Sequence, residues 1–291
     1  MADMMRIKSI ILLSFFTFFA GRTFSQHFSP ALQSLINAEK AFAARSKETN
    51  TRRAFLDFLA PDAILLDRGK EINGIQLWTG RPESASLLFW EPVYADIASS
   101  NDFGWTTGPY FLYKTRSDTV AAFKGYYSTV WGKQPDGTWK VLFDLGGGIP
   151  DGTKLTLSTS AIKTKASKLI DNESELKNLL TVDGEYSSKL TAKGTSIDIN
   201  YFSVEGRVHR AGRVPAVGLE AIKQIDERDR KYEFTPVHGR IATSGDMAYT
   251  YGRGKVAIGG SNPRIVEFGS FRIWKKEDGR QWKLVLDVLG Q

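Results

Sequence analysis

The chain repeats itself at a nearly constant spacing, and this repeat limits its possible folds more than any other feature. Pro92-Val93 recurs 144 positions later as Pro236-Val237, and other residues follow the same spacing until it becomes 143 near the C-terminus. The matched pairs are Phe42/Tyr186, Phe58/Phe202, Gly74/Gly218, Ser100/Ser244, Asp102/Asp246, Trp105/Tyr249 and Gly108/Gly252, then Trp131/Trp274, Trp139/Trp282 and Asp144/Asp287. Such a repeat indicates a duplicated domain, and 291 residues suffice for two.

Each copy has helical patterns first and strand patterns after them. In the first copy, Ser29 and Pro30 form a helix start, and apolar residues recur at helical spacing as far as Lys47. A second helical segment, Arg52–Leu59, stops before Pro61, because proline cannot continue a helix. The later segments have strand character, and they are Ala63–Asp67, Trp90–Ala98, Phe103–Lys114, Thr119–Lys133 and Thr138–Leu145.

The order of these segments predicts the fold class. The sequence Gln-Pro-Asp-Gly at 134–137 predicts a tight turn between the last two strands, because proline presets φ and glycine accepts a positive φ. Helices followed by an antiparallel meander indicate the α+β class. We therefore expect two tandem α+β domains, residues 27–147 and 175–290, each with a curved antiparallel sheet packed on its N-terminal helices. The polar residues 148–174 are expected to form a linker.

The first 25 residues have the features of a signal peptide. Arg6 and Lys8 precede an apolar run of 11 residues, Ile10–Ala20, which is too short to cross a bilayer but typical of a signal-peptide core. The small residues Thr23 and Ser25 predict cleavage before Gln26; an uncleaved membrane anchor is the alternative. We expect an exported protein, periplasmic or secreted, with no membrane attachment after cleavage.

Composition excludes several functional classes. The chain has no cysteine, which removes disulfides, thiolate metal sites and a cysteine nucleophile. Its net charge of +7 is not concentrated in a dense basic stripe, so nucleic-acid binding is not expected. The sequence has three histidines and no phosphate-loop, nucleophile-elbow or zinc-protease motif. We therefore expect no metal and no cofactor.

Several motifs resemble those of a known family. Trp90-Glu-Pro92, Ser100–Pro109, Thr129-Val-Trp131 and Asp136–Asp144 are similar to motifs of the DUF4440 group of the NTF2-like superfamily, which is related to SnoaL and ketosteroid isomerase. The resemblance covers residues 30–146, and the second copy looks like a diverged member. It implies cone-shaped domains with a pocket at the wide end. It also implies pairing through the sheets, so that the two copies form an intrachain pseudo-dimer.

The resemblance does not select an activity, because this fold hosts isomerases, cyclases, dehydratases and binding modules. Residue types supply the candidates in the first copy. Asp96 and Tyr94 share one face of a predicted strand, which either meets a ligand or is solvated. Asp144 lies in an apolar run, so it is either a pocket acid with a raised pKa or a structural aspartate. Three aromatic residues, Trp105, Tyr110 and Tyr126, are further candidates for ligand binding.

In the second copy, His238 and Arg240 occupy the positions of Tyr94 and Asp96. His238 is a candidate acid or base and Arg240 a candidate ligand-binding residue; ordinary half-exposed polar residues are the alternative. Tyr249 and Asp287 are also candidates for ligand binding. Because the two copies differ at these positions, they do not share one catalytic apparatus there.

Three functional hypotheses follow from these residues. The favoured one is a pocket that binds a small, largely apolar molecule. The alternatives are a cofactor-independent isomerase or cyclase that uses Asp96, Asp144 or His238 as acid and base, and a structural module for protein interaction. An enclosed pocket that holds Asp144 within hydrogen-bond reach of a tyrosine would favour the enzyme.

Overall fold

A computed structural model describes residues 28–67, 70–151, 153, 160–161, 172–192, 197–235, 238–259, 261–277 and 281–290. The predicted signal peptide lies outside the described residues, as do Pro236-Val237 and most of the predicted linker. Within the described ranges, no helix combines the length and apolar character needed to cross a membrane.

The first copy contains three helices and eight strands among the described residues. They are α1 (Pro30–Glu48), α2 (Thr51–Phe58), β1 (Leu59–Asp67), β2 (Lys70–Asn73), α3 (Gly74–Gly80), β3 (Leu87–Trp90), β4 (Tyr94–Ile97), β5 (Phe103–Tyr113), β6 (Phe123–Lys133), β7 (Trp139–Gly148) and β8 (Ser160–Ala161). The predicted start of α1 is confirmed: Pro30 is in its first turn, and Ser29 caps it by accepting a hydrogen bond from the Leu32 amide at 3.2 Å.

The second copy repeats this order with shorter helices after the first one. Its elements are α4 (Asn172–Thr191), a 3-10 turn (Ile199–Tyr201), β9 (Phe202–Arg210), β10 (Ala216–Val217), α5 (Leu219–Lys223), β11 (Arg230–Phe234), β12 (His238–Ile241), β13 (Met247–Ile258), β14 (Arg264–Glu277) and β15 (Gln281–Gly290). Helices precede a strand meander in both copies, so the predicted α+β duplication is confirmed.

Each copy forms its own sheet. The strand order is β2-β1-β7-β6-β5-β4-β8 in the first sheet, with β3 also paired to β5, and β10-β9-β15-β14-β13-β11 in the second, with β12 also paired to β13. Most pairs are antiparallel, as expected, but β1 pairs with β7, β4 with β8 and β9 with β15 in parallel. A bulge at Leu142 interrupts β7 opposite Trp131, and one at Val285 interrupts β15 opposite Trp274, so the two sheets share an irregularity as well as an order.

The predicted strand Trp90–Ala98 is wrong as a single element, because β3 ends at Trp90 and β4 begins at Tyr94. Pro92 in the gap has no amide to donate to a sheet. The chain there passes very close to Gly108, where an added Cβ would lie 1.9 Å from the carbonyl oxygen of Glu91. Asp96 on β4 is fully buried, so the solvated face considered for it is also excluded.

The two sheets pack against each other through aromatic side chains. Phe143 of β7 stacks 4.7 Å from Phe271 and 5.0 Å from Tyr251, and Phe103 lies 6.1 Å from Tyr249. These side chains belong to one buried apolar cluster that contains residues of both copies. Strand alternation places Phe143 on this interface face and its neighbour Asp144 on the opposite face.

Two matched turns hold the copies together at one end of the interface. The amide of Ser99 donates to Asp246 at 3.1 Å, and the hydroxyl of Thr243 donates to Asp102 at 2.5 Å. Between them the hydroxyls of Ser100 and Ser244 meet at 3.0 Å. Asp102 and Asp246 are therefore structural, and each stabilises a turn of the other copy.

Candidate functional site

The first copy encloses a hollow of about 260 Å³ between its helices and its sheet. Its walls are mainly aromatic and aliphatic, with a few polar groups among them. The lining residues are Phe42, Phe55, Trp78, Arg81, Leu88, Trp90, Tyr110, Tyr127, Asp144 and Gly146. An apolar cavity with a small set of polar groups is the usual form of a small-molecule site.

Asp144 is the acidic group of this hollow. It lies on β7 and pairs across the sheet with Thr129 of β6, whose hydroxyl donates to the carboxylate at 2.6 Å. Burial raises the pKa of Asp144 to about 6, against the lowering effect of that hydrogen bond. Asp144, one of the candidate pocket acids from the sequence, therefore lines this hollow, and its pKa is raised. A group that titrates near neutral pH can act as a general base.

One hydrogen-bond donor in the same walls, the indole N–H of Trp78, has no partner among the described residues. The hydroxyl of Tyr127, a residue that is 6% exposed, makes no hydrogen bond of good geometry, but it interacts with the side chain of Thr106. Burial raises the pKa of Tyr127 well above its ordinary value, with Glu39 and Asp144 adding to the effect and Thr106 opposing it, so the hydroxyl remains protonated. Buried polar groups are normally hydrogen-bonded, so the N–H of Trp78 indicates a site for a ligand acceptor or a water.

Tyr110 adds a second hydroxyl to the lining. Burial and the charge of Asp144 together raise its pKa to about 12. Tyr110 was predicted to bind a ligand, whereas Tyr127 and Trp78 were not. A strand pattern gives the face of Tyr127 but does not reveal whether its hydroxyl has a partner.

Behind the hollow lies a buried carboxylate that sequence reasoning missed. Glu39 of α1 is fully buried and accepts hydrogen bonds from Trp90 at 2.5 Å, Thr106 at 2.5 Å and Trp131 at 2.9 Å. Burial raises the pKa of Glu39 to about 7, although these three donors act to lower it. The available signal was an acid on the apolar stripe of α1, four residues after Leu35.

The second copy contains the same arrangement 144 positions later. Asp183 of α4 is fully buried and accepts from Thr250 at 2.5 Å and from Trp274 at 3.2 Å. In both copies the tryptophan N–H also reaches the threonine hydroxyl, at 3.3 Å in the first and 2.9 Å in the second. Glu39 and Asp183 are therefore equivalent, and they connect the first helix of each copy to its sheet.

The equivalent of the hollow is occupied by side chains in the second copy. Arg272 stands where the first copy has Thr129, and it is 1% exposed. Its guanidinium donates to Asp287 at 3.1 Å and to Asp183 at 2.5 Å. It also lies 5.1 Å from the ring of Phe234, the counterpart of the cavity residue Trp90.

Asp287 is therefore held in an ion cluster instead of lining a pocket. It accepts from Arg210 at 2.6 Å and from the hydroxyl of Tyr186 at 2.9 Å, in addition to Arg272. Burial acts to raise the pKa of Asp287, but Arg210 and Arg272 outweigh burial and hold it below the ordinary value. Asp144 and Asp287 are equivalent in sequence, but the pKa of Asp144 is raised and the pKa of Asp287 is lowered.

A larger hollow of about 420 Å³ lies at the edge of the second copy. It is lined by strand residues and exposed charges, among them Lys255 and Glu267, which pair at 3.6 Å. None of its lining residues carries a buried polar atom without a partner. The hollow of the first copy is therefore the better candidate site.

The other predicted site residues of the first copy lie at the interface of the two sheets. Asp96 forms a buried ion pair with Lys275 of the second copy at 2.5 Å. Tyr94 lies beneath the guanidinium of Arg207, 3.6 Å from its ring centre, and packs on Trp105. Tyr126 contacts the ring of His209 at 5.5 Å. The structure does not bring these residues together with Asp144 and Tyr110.

The predicted residues of the second copy lie in two places. Tyr249 is buried in the aromatic interface, between Phe103 and Phe143. His238 is 64% exposed and lies 3.8 Å from Glu71, while Arg240 pairs with Asp62 at 2.5 Å. Both surface pairs join the two copies. Neither His238 nor Arg240 lines the hollow that holds Asp144.

Comparison with known proteins gives similarity in structure only. No protein-family model matches the chain, and no curated protein matches it. An NTF2-like protein with a cystatin-like fold from Novosphingobium aromaticivorans is similar at 12% identity and a TM-score of 0.35, over 40% of this chain and 82% of that one. A ketosteroid isomerase-like protein from Erwinia carotovora is similar at 16% identity and a TM-score of 0.34, over 40% and 95%.

The association domain of CaMKII from C. elegans is a third example, at 12% identity and a TM-score of 0.33, over 41% of this chain and 98% of that one. Each similarity spans about the length of one copy and concerns the fold alone. The resemblance to the NTF2-like superfamily and to its DUF4440 group therefore stays a prediction from the sequence motifs.

Proposed function

We propose that the first copy binds a small, largely apolar molecule in the hollow beside Asp144, and that the second copy is a scaffold without a ligand site. The observation that carries this proposal is the unpartnered N–H of Trp78 in an otherwise aromatic cavity. Export of the protein is part of the proposal and rests on the sequence of residues 1–25 alone.

The contrast between the copies supports this division of roles. Leaving a buried donor unpaired costs about 1–3 kcal/mol, so a ligand acceptor that meets the N–H of Trp78 recovers that energy. In the second copy, Arg272 and Tyr186 already pair with the carboxylates that would face a ligand. A ligand there would have to displace a buried ion cluster.

Binding is tested by titrating the protein with the neutral aromatic probe 2-naphthamide in a calorimeter. Leu88 lines the hollow and is half-buried, so Leu88→Trp should fill the entrance and abolish binding. Val204→Trp is the matched control, since Val204 is exposed on the second copy. The proposal is wrong if Leu88→Trp folds and binds the probe as the wild type does.

A second candidate function is cofactor-free proton transfer in the same hollow. The observation that favours it is a carboxylate with a pKa of about 6 beside the protonated hydroxyls of Tyr127 and Tyr110. Asp144 would abstract a proton next to a carbonyl group, and the hydroxyls would stabilise the negative oxygen that forms.

This activity is tested by following hydrogen–deuterium exchange next to the carbonyl of 2-tetralone by NMR. Removal of a general base costs about 10²–10⁴-fold in rate, so Asp144→Asn should bring exchange to the background level. Asp136→Asn, in an exposed turn, is the control. Equal exchange by the wild type and Asp144→Asn would exclude this function and leave the binding proposal intact.

A further inference from the structure

We propose that the ligand of the first copy is a small organic cation, such as an aromatic amidine or guanidine, whose charged group meets Asp144 beside the rings of Phe42 and Trp90. This inference rests on the proposed function and names the class of ligand that the same site would select. It follows from a comparison with the second copy, where a guanidinium of the chain itself occupies the equivalent place.

The guanidinium of Arg272 shows what this part of the fold can hold. It donates to Asp287 through Nε at 3.1 Å and to Asp183 through Nη1 at 2.5 Å. It also lies 4.8 Å from the ring centre of Tyr186 and 5.1 Å from that of Phe234. The negative faces of the rings attract a cation, and the carboxylates add charge-assisted hydrogen bonds.

The first copy keeps these surroundings but has no cation of its own in this place. Three residues line the hollow at positions equivalent to those around the Arg272 guanidinium, and they are Phe42, Trp90 and Asp144. Thr129 stands where the second copy has Arg272, and its side chain is too short to fill the space. The hollow therefore corresponds to the space that the arginine occupies in the second copy.

Asp144 has fewer partners than its equivalent. Among the described residues it accepts one hydrogen bond, from the hydroxyl of Thr129, and it forms no ion pair. The hydroxyl that Tyr186 donates to Asp287 is also missing, because Phe42 replaces Tyr186. A buried carboxylate without a counter-charge is costly, and burial raises the pKa of Asp144 accordingly. A bound cation would supply the counter-charge.

Glu39 lies behind this place and adds negative charge when it is ionised. Its equivalent, Asp183, accepts an N–H of Arg272. In the first copy the indole N–H of Trp90 takes that role and donates to Glu39 at 2.5 Å. We therefore expect Asp144 to make the direct hydrogen bonds to the ligand, and Glu39 to act on it through charge alone.

Arg81 lines a different part of the hollow. It also lines a neighbouring depression of about 360 Å³, as Trp78 does, whereas Asp144 lines the hollow alone. The guanidinium of Arg81 lies over the ring of Trp78, 4.5 Å from the ring centre, so its charge is at the outer side. Because Trp78 has an unpartnered N–H, an oxygen acceptor is expected at the end of the ligand remote from its charge.

The test compares 2-naphthamidine with 2-naphthamide, two probes of nearly the same shape of which only the first is charged. Calorimetry at low salt should show that the wild type binds 2-naphthamidine about tenfold more tightly, because an amidinium donates two charge-assisted hydrogen bonds to a carboxylate. Asp144→Asn should reduce this ratio to about one to threefold, since the charge is removed and the shape is kept. Asp136→Asn removes the same charge from an exposed turn and should leave the ratio unchanged.

A second variant tests the comparison between the copies. Thr129→Arg gives the first copy the side chain that the second copy has, and its guanidinium should occupy the place proposed for the ligand cation. The affinity for 2-naphthamidine should then fall by about tenfold or more. If Thr129→Arg folds and binds 2-naphthamidine as the wild type does, the ligand cation does not lie where Arg272 indicates, and the inference is wrong.

The outcomes separate this inference from the proposed function. Equal affinities for the two probes, or a preference that survives Asp144→Asn, would overturn the cation inference. If Leu88→Trp still blocks both probes in that case, the hollow is a ligand site for neutral molecules. If Leu88→Trp blocks neither probe, the proposed site is wrong and the inference fails with it.

Discussion

The two copies have equivalent hydrogen-bonded acids on their first helices, but the aspartates on their last strands have different surroundings. Each has a buried acid on its first helix, Glu39 or Asp183, bound by a threonine and a tryptophan of the sheet. Each also has an aspartate on its last strand. In the first copy that aspartate faces a hollow, and in the second it is enclosed by Arg210 and Arg272.

One position accounts for much of this difference. Thr129 and Arg272 are equivalent, and each pairs across the sheet with the aspartate of its copy. The short threonine satisfies one carboxylate oxygen and leaves space in front of it. The long arginine satisfies two carboxylates and fills that space. The same fold therefore gives a pocket or a solid core, depending on the side chain beside the aspartate.

The largest expected effect is on the stability of the second copy. Arg272→Met leaves Asp183 without a buried counter-charge and Asp287 with Arg210 alone, which should lower the free energy of unfolding by about 3–5 kcal/mol. The equivalent change in the first copy, Thr129→Val, removes one hydrogen bond to a group near a cavity and should cost about 1 kcal/mol. Urea denaturation measures both, and equal losses would refute the contrast between the two sites.

A smaller effect should appear in the pH dependence. Asp144 has an ordinary pKa of 3.8 and a folded pKa of about 6, so the folded state binds its proton more tightly. Stability should therefore fall as the pH rises from about 4 to about 6, by about 1–3 kcal/mol for this group. Asp287 has a lowered pKa, so its contribution has the opposite sign and is lost on acidification.

Urea denaturation at pH 4, 5, 6 and 7 distinguishes the two aspartates. Asp144→Asn should reduce the loss of stability between pH 4 and 6. The loss that remains should come from Glu39, whose raised pKa extends it to about pH 7. Asp229→Asn, at an exposed position of the second copy, should keep the wild-type slope. If the stability of Asp144→Asn has the same pH dependence as that of the wild type, the carboxyl of Asp144 is not desolvated in the hollow.

Much of the fold was predictable because it depends on local chemistry and on the repeat. Ser29 and Pro30 mark a helix start, and Gly137 takes the positive φ of 85° that its turn requires. Asp144 was identifiable as either a pocket acid or a structural aspartate, since a carboxylate in an apolar strand needs either a partner or a function. The repeat itself linked it to Asp287.

The rest of the site depends on contacts that a single sequence does not specify. Asp96 and Asp144 both lie among apolar residues, yet Asp96 meets Lys275 of the other copy, 179 positions away. Tyr94 and Tyr127 have similar surroundings in sequence, but one packs at the interface and the other lines the hollow. Which sheet face meets the helices and which meets the other copy is decided by tertiary packing.

The apolar cluster around Phe143 does not respect the boundary of the repeat, because it includes Tyr249, Phe271 and Ile273 from the second copy. We therefore expect the two halves to unfold together. If the first half binds a ligand as proposed, saturation at a hundredfold excess over Kd should add about 2.7 kcal/mol to the free energy of unfolding of the whole chain. The second half would then unfold at a higher temperature although it does not contact the ligand.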